Sequence, residues 1–234
     1  MSLLSALGLA LLGGASIPAG ALISSIPTWR SFFSDREVDS FITYFGGGAL
    51  LAAVALVLLP RGVEHSSVLL VSVAFSLGGL VFWRFSVYTQ KSKTAASMFV
   101  GMVLDFFPEA ILLGVAVAKG SSVAYLLALL IALQNLPEGF GAHKEMEKSG
   151  MPSKQLWALF FLAPLLGPLA AWIGYSWMSD SEHILKPLLV FCSGGILYLI
   201  FEDIAPKAHI KRAFPAVGAI LGFLLGMIGT MLVH

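Results

Sequence analysis

The sequence has few charged residues. Only 12% of its 234 residues are Asp, Glu, Lys or Arg, whereas 58% are hydrophobic. Soluble domains carry about a quarter charged residues, so this composition excludes an ordinary soluble protein and indicates an integral membrane protein. The net charge is only +1. Because there is no basic surplus to bind a polyanion, we expect no nucleic-acid partner.

Cysteine is almost absent as well. Cys192 is the only one, which excludes an intramolecular disulfide and a cysteine-rich metal site. The apolar segments hold no histidine cluster, and the HExxH and GxGD motifs of intramembrane hydrolases do not occur. Carboxylates and amides are therefore the side chains that remain for chemistry inside a membrane.

Long apolar runs are abundant. A hydrocarbon core of about 30 Å is crossed by roughly 20 apolar residues in a helix, and eight segments satisfy this. With soft boundaries they are 3–26, 40–60, 66–86, 96–118, 120–142, 155–178, 184–204 and 213–233. Their connections are short, and no stretch has the composition of a separate soluble domain. We expect an all-α bundle of eight spans in one unit over residues 1–234.

Basic residues are unevenly distributed between the two sets of loops. Eleven of the 14 Lys and Arg residues fall in the first, third, fifth and seventh loops. Cytoplasmic loops carry an excess of Lys and Arg. The pattern therefore predicts that the odd-numbered loops are cytoplasmic and that both termini are extracellular or periplasmic.

Two of the spans carry acidic residues near their centres. Asp105 and Glu109 in the fourth span are four residues apart, and so are Gln134 and Glu138 in the fifth. Residues at this spacing share one face of a helix. Carboxylates inside a membrane are rare and face a bundle interior or an aqueous cavity. Two of them on one dry face repel each other, and a bound cation between them removes the conflict.

The two spans also share a proline–glutamate frame. DFFPEA (105–110) aligns with QNLPEG (134–139) at an offset of 29 residues. Each proline leaves a carbonyl one turn earlier without its helical partner, which is tolerated in a membrane where the backbone lines a cavity. A short turn near residues 119–121 predicts that the two helices are antiparallel neighbours with both motifs at a similar depth. Four oxygen-bearing side chains can then converge: Asp105, Glu109, Gln134 and Glu138.

Together, these motifs and the eight spans resemble the ZIP (Zrt-/Irt-like protein) family of divalent metal transporters. The resemblance implies an eight-span bundle, a homodimer, and a primary metal site formed by Asp105, Glu109, Gln134 and Glu138. It further implies that Asn135 and a seventh-span carboxylate, Glu202, contribute to an adjacent second site. Phe106 stands where the family has an asparagine, which removes a ligand from that second site.

The resemblance implies transport rather than catalysis. We expect a multi-pass protein of the cell (plasma or inner) membrane that moves divalent metal into the cytoplasm, with no cofactor and no enzymatic activity. Carboxylate and amide oxygens suit Mn²⁺ and similar ions, while Zn²⁺ also accepts carboxylates. Zn²⁺, the family default, is placed first, with Mn²⁺, Fe²⁺ and Cd²⁺ as further substrates. The alternatives are a proton-linked transporter of a non-metal substrate and, with less support, an intramembrane metal-dependent hydrolase.

Two groups of polar residues can be interpreted without any role in metal binding. The HKEME stretch at the end of the fifth span contains His143, Glu145 and Glu147. It could catch a departing metal, but a hydrated loop is the simpler prediction. Glu202 precedes Pro206 near the end of its span and is equally consistent with a solvated helix end.

Overall fold

The fold is helical throughout the part of the chain that the structure describes. This computed structural model describes the backbone of residues 1–33, 35–92, 96–209 and 211–233, with most of their side chains, and no strand occurs in those ranges. The α-helices are α1 (Leu3–Ser25), α2 (Pro27–Phe33), α3 (Arg36–Ala53), α4 (Leu59–Val63), α5 (Val68–Ser92), α6 (Ala96–Ala118), α7 (Val123–Lys148), α8 (Ser153–Ile173), α9 (Glu182–Leu199), α10 (Ala205–Ala208) and α11 (Val217–Val233).

Seven helices are long and apolar enough to cross a membrane. They are Leu3–Ser25, Arg36–Val63, Val68–Tyr88, Val123–Lys148, Ser153–Met178, Glu182–Glu202 and Phe214–Leu232, counted over the described residues alone. Phe106–Ala118 is a shorter apolar helix in that count, and it belongs to α6, which has 23 residues in all. The all-α fold is therefore confirmed for the described residues, and the seven apolar helices are consistent with a membrane-spanning bundle. The eighth span and the orientation of the termini stay predictions.

Two helix boundaries differ from the predicted segments. The first polar loop, between the predicted spans 3–26 and 40–60, contains the short helix α2. The side chain of Asp35 then caps α3 by accepting hydrogen bonds from the backbone N–H groups of Glu37 and Val38. Helix α7 continues to Lys148 and so includes the HKEME stretch, which was expected to leave the helix near residue 142.

The helices are arranged as one four-helix group and two pairs. Helix α1 packs along α7 and α8, and α6 packs against all three. Outside this group α3 pairs with α11, and α5 pairs with α9. The predicted fourth and fifth spans are thus neighbours within one bundle.

Glycine allows a very close approach of α1 and α7 within the four-helix group. A Cβ on Gly20 of α1 would clash with the backbone oxygen of Leu136, and a Cβ on Gly139 of α7 would clash with that of Ile17. Because both helices place glycine at their crossing, their backbones touch directly. Small residues at a crossing are typical of helix packing in membranes.

In the described part of the chain, three segments form a widened π-helical turn: Val54–Leu58, Gly174–Met178 and Ile200–Ile204. The first and third immediately precede segments with an early proline, Pro60 and Pro206. Proline has no N–H to donate, and a π turn shifts the hydrogen-bond pattern by one residue; π turns inside helices are frequent at functional sites. The third turn carries Glu202.

The glycine contact between α1 and α7 yields a testable prediction. Substituting Gly20→Ala should lower the free energy of unfolding by about 1–3 kcal/mol, the usual cost of overpacking, because the added methyl group meets backbone that no rotamer change can move. The measurement is thermal unfolding of the purified protein in detergent.

The matched control lies in the same helix. Gly8 has no atom within 4 Å of an added Cβ, so Gly8→Ala should not destabilise the protein. Equal unfolding midpoints for the two variants would contradict direct backbone contact at Gly20.

Candidate metal site

A tight turn places α6 and α7 side by side. Residues 119–122 connect the two helices, and Gly120 has a φ of +66°. The N–H of Gly120 donates to the oxygen of Val117, and the N–H of Ser121 donates to that of Ala116, both at 3.0 Å. This pair of bonds around a left-handed glycine is the Schellman ending of a helix. It reverses the chain and makes α6 and α7 antiparallel neighbours, as predicted.

The two motifs meet through Glu109 and Gln134. The Nε2 of Gln134 donates a hydrogen bond to Oε2 of Glu109, joining α7 to α6. Both side chains are buried, with exposed fractions of 5% for Glu109 and 1% for Gln134. A buried polar group is costly unless it is hydrogen-bonded, and each of these two supplies a partner for the other.

Two amide oxygens at this place receive no hydrogen bond from the described part of the chain. Gln134 directs its NH₂ group to the carboxylate, so its Oε1 points elsewhere; Oε1 of Gln134 and Oδ1 of Asn135 are buried and accept no hydrogen bond from the described residues. Buried acceptors are almost always paired. A cation would be a suitable partner, because amide and carboxylate oxygens are ligands for hard divalent ions.

Asn135 is also held by α1. Its Nδ2 donates to the backbone oxygen of Gly13 at 3.3 Å, and the side chain is fully buried. The amide group has only one nitrogen, so this bond to α1 fixes which way the carbonyl oxygen of Asn135 faces. The first helix therefore orients one of the residues of the predicted second site.

The remaining members of the predicted primary site are described less fully. Glu138 lies one turn after Gln134, is partly buried, and has its Oε2 shielded from solvent. The side chain of Asp105 lies outside the described residues, although its backbone belongs to α6. Within the described side chains, no group of three or more His, Cys, Asp or Glu is placed to hold a metal ion. The four-ligand site stays a prediction, in which the contact between Glu109 and Gln134 is the part that the structure describes.

Glu202 is placed against α5. Its Oε2 accepts a hydrogen bond from Oγ of Ser86 at 3.1 Å, so this carboxylate bonds to the third predicted span. Phe106, where the family has an asparagine, is fully buried, and its ring lies against Gly14 of α1 and Gly167 of α8. The ring fills space between helices, in keeping with the expected loss of a ligand.

A small pocket opens beside Glu109. It lies between α6, the second span and α9, with apolar walls that include Leu58, Ile111 and Leu189. Glu109 is the one charged side chain among its described lining residues, and Cys192 of α9 also lines it. The sequence reasoning did not anticipate this place for Cys192; the helical spacing of Leu185, Leu189 and Cys192 is the signal that could have indicated a shared face.

His143 is not in a hydrated loop, and that prediction is wrong. It lies within α7 with 3% of its surface exposed, and its Nδ1 is 3.1 Å from Oγ of Ser24 on α1. The rings of Trp157 and Phe160 on α8 pack beside it, with centroids 5.2 and 5.7 Å away. Glu145 and Glu147 in the same stretch are exposed, as predicted. The long continuation of α7 buries the histidine between two helices.

Comparison with known proteins supports the resemblance. No family model matches the chain. The chain is 27% identical over 207 residues to "Zinc transporter GufA" of Myxococcus xanthus, covering 80% of this chain and 81% of that protein. It is 25% identical over 184 residues to "Putative zinc transporter At3g08650" of Arabidopsis thaliana, covering 72% of this chain and 29% of that protein.

Both relatives are named as transporters and neither as an enzyme, in agreement with the prediction that the chain is not an enzyme. One of them matches over most of its own length, and the other is much longer than the matched region. The similarity over most of the chain and the paired motifs of α6 and α7 lead to the same result: the chain is similar to proteins named zinc transporters, which confirms the predicted resemblance to the ZIP family.

Proposed function

We propose that this protein carries divalent metal ions, Zn²⁺ first, into the cytoplasm across the plasma or inner membrane. The ion binds between α6 and α7 to Asp105, Glu109, Gln134 and Glu138. The observation that carries the proposal is the buried hydrogen bond between Glu109 and Gln134, beside an amide oxygen that has no donor among the described residues. Eight spans with both termini outside, and a homodimer, belong to the same proposal.

The chemistry of the donors supports a cation substrate. A carboxylate held in a dry bundle is stabilised by a positive charge, and each additional oxygen nearby lowers the cost of removing water from the ion. Oxygen donors accept Zn²⁺ but also suit Mn²⁺ and Fe²⁺, and Cd²⁺ resembles Zn²⁺. We therefore expect broader selectivity than for a histidine-rich site. Asn135 and Glu202 are proposed as contributors to a second position along the path.

The two prolines of the motifs also support binding of a dehydrated cation. Pro108 and Pro137 cannot donate the usual helical hydrogen bond to the backbone oxygens of Leu104 and Leu133. Both carbonyls are one turn from a motif carboxylate. Free carbonyls in the bundle interior give a dehydrated ion additional oxygen contacts as it passes. Release to the cytoplasm then requires the helices around the site to open on the other side, as alternating access implies.

Transport is tested by uptake of radioactive zinc into vesicles that contain the purified protein. Glu109→Ala and Glu138→Ala should each lower uptake by about tenfold or more, because losing a charged ligand costs at least about 1.4 kcal/mol of binding. The control is Glu64→Ala, which removes an exposed carboxylate and should leave uptake unchanged. Zinc uptake that survives in both site variants would refute the proposed site, and a protein that moves protons but no metal would favour the proton-linked alternative.

The site also predicts that a carboxylate added at position 134 lowers the stability of the protein only when metal is absent. Gln134→Glu places a carboxylate against Glu109, so the metal-free variant should be less stable than the wild type because of charge repulsion. Zinc at about one hundred times its dissociation constant should restore about 2.7 kcal/mol. Thermal unfolding with a chelator and with zinc measures both effects.

The matched control is Gln155→Glu, which changes an exposed residue of α8 in the same chemical way. This variant should behave like the wild type under both conditions. If the two variants respond alike to chelator and to zinc, position 134 does not face a metal-binding carboxylate.

Zinc binding should weaken as the pH falls from about 7 to about 5. Carboxylate ligands must be deprotonated to bind metal, so protons compete with the ion and are released when it binds. Isothermal titration in buffers of different ionisation enthalpy measures both the affinity and the protons released. A pH-independent affinity with no proton release would argue against carboxylate ligands.

A further inference from the structure

Polar contacts attach the turn between α6 and α7 to helices outside the four-helix group. Nζ of Lys119 lies 3.7 Å from Oε1 of Glu182 at the start of α9, and the other oxygen of the same carboxylate forms an ion pair with Lys186 at 2.9 Å. In addition, Nη2 of Arg61, near the end of the second span, donates to Oγ of Ser121 at 3.4 Å. The turn that joins the two motif helices is thus bonded to both α4 and α9.

These contacts lie at one end of the pocket beside Glu109. Leu58 of the second span lines that pocket, and Arg61 follows it by one turn on the same side of the helix. Leu185 of α9 also lines the pocket, and Lys186 directly follows it in the chain. The polar contacts therefore close the space between α6 and α9 at the end that the loop charges predict to be outside.

The interface between α6 and α9 is packed more loosely than the interfaces within the four-helix group. A Cβ on Gly114 of α6 would clash with the backbone oxygen of Ala171 on α8, so these two helices are in direct backbone contact. Between α6 and α9 a pocket remains, with apolar side chains on both walls, and the two helices touch only lightly. Helices that touch lightly lose few contacts when they separate or slide.

We propose that the polar contacts form an outer clasp, and that this clasp must open before a cation can reach Glu109 from the predicted outer side. The outer clasp consists of Arg61, Lys119, Ser121, Glu182 and Lys186. The proposal rests on the metal-transport function proposed above. Three of these side chains are basic and one is acidic, so the closed clasp repels a divalent cation. Opening moves the turn away from α4 and α9 and so disperses this positive charge.

The strength of the clasp suits a contact that opens repeatedly. The side chains of Lys119 and Glu182 are 43% and 62% exposed. Ion pairs in contact with water are weak because water and salt screen them. Such a pair can bias the closed arrangement without locking it, and losing the pair should raise the fraction of open molecules.

The only thiol of the protein can report whether the clasp is open. Cys192 lines the pocket and is 4% exposed, so a membrane-impermeant maleimide should label it slowly while the clasp is closed. Lys119→Glu replaces an attraction to Glu182 by a repulsion and should raise the labelling rate about threefold. Lys119→Arg keeps the positive charge and should be labelled at the wild-type rate. Mass spectrometry of the full chain in detergent micelles measures the rate.

Thermal unfolding distinguishes clasp opening from general loosening of the fold. The unfolding midpoint of Lys119→Glu should equal that of the wild type, because an exposed ion pair contributes little to stability. Glu64→Gln removes an exposed carboxylate on the same predicted side and should leave the labelling rate unchanged. The proposal is overturned if Lys119→Glu is labelled no faster than the wild type, or if faster labelling is accompanied by a lower unfolding midpoint.

A covalent lock tests the clasp during transport. Lys119→Cys and Glu182→Cys are combined with Cys192→Ser and joined by a short bismaleimide, and zinc uptake into vesicles is measured. Cross-linking should abolish uptake, whereas each single-cysteine variant treated with the same reagent should retain it. Uptake that survives cross-linking would overturn the clasp. A wild type that takes up no zinc, with faster labelling of Cys192 in Lys119→Glu, would instead overturn the transport function and leave the clasp in place.

Discussion

A buried carboxylate needs a hydrogen-bond partner. In this bundle the buried carboxylate is Glu109, and the arrangement of its neighbours supplies that partner. Its described partner is the amide of Gln134 from the neighbouring helix, which satisfies one oxygen without neutralising the charge. The rest of the arrangement follows from this contact. Helices α6 and α7 are antiparallel neighbours, and α1 and α8 pack against both of them.

The first helix also orients polar side chains of α7. Gly20 and Gly139 bring the backbones of α1 and α7 together, and two side-chain bonds reinforce this contact at different depths. Asn135 donates to the oxygen of Gly13, and His143 pairs with Ser24. Hydrogen bonds between helices contribute modestly in membranes, but here they fix orientation as well as proximity, because each leaves its amide or imidazole with one allowed direction.

The parts of the fold that depend on local pattern could be predicted from the sequence. Hydropathy located the helices, and the four-residue spacing with a short turn predicted that Glu109 and Gln134 come together. The burial of His143 could not be predicted, because its neighbours in HKEME are polar and only the packing of α1 and α8 encloses it. The placements of Cys192 and Glu202 depend on how α9 is rotated. That rotation is set by the close contact of α9 with α5, where Gly194 meets the backbone of Phe75, and such pairing has no signature within one segment.

The tight connection after α6 bears on how this protein reaches the bilayer during synthesis. Glu109 and Gln134 are separated by only 25 positions in the chain, so the acidic residue acquires its amide companion as soon as one hairpin has emerged. Inserting a lone carboxylate on a single helix into a membrane costs free energy. In a hairpin of α6 and α7, the carboxylate of Glu109 is already hydrogen-bonded to Gln134. The left-handed glycine at position 120 closes this hairpin, so the hydrogen bond between the two residues requires no helix that comes later in the chain.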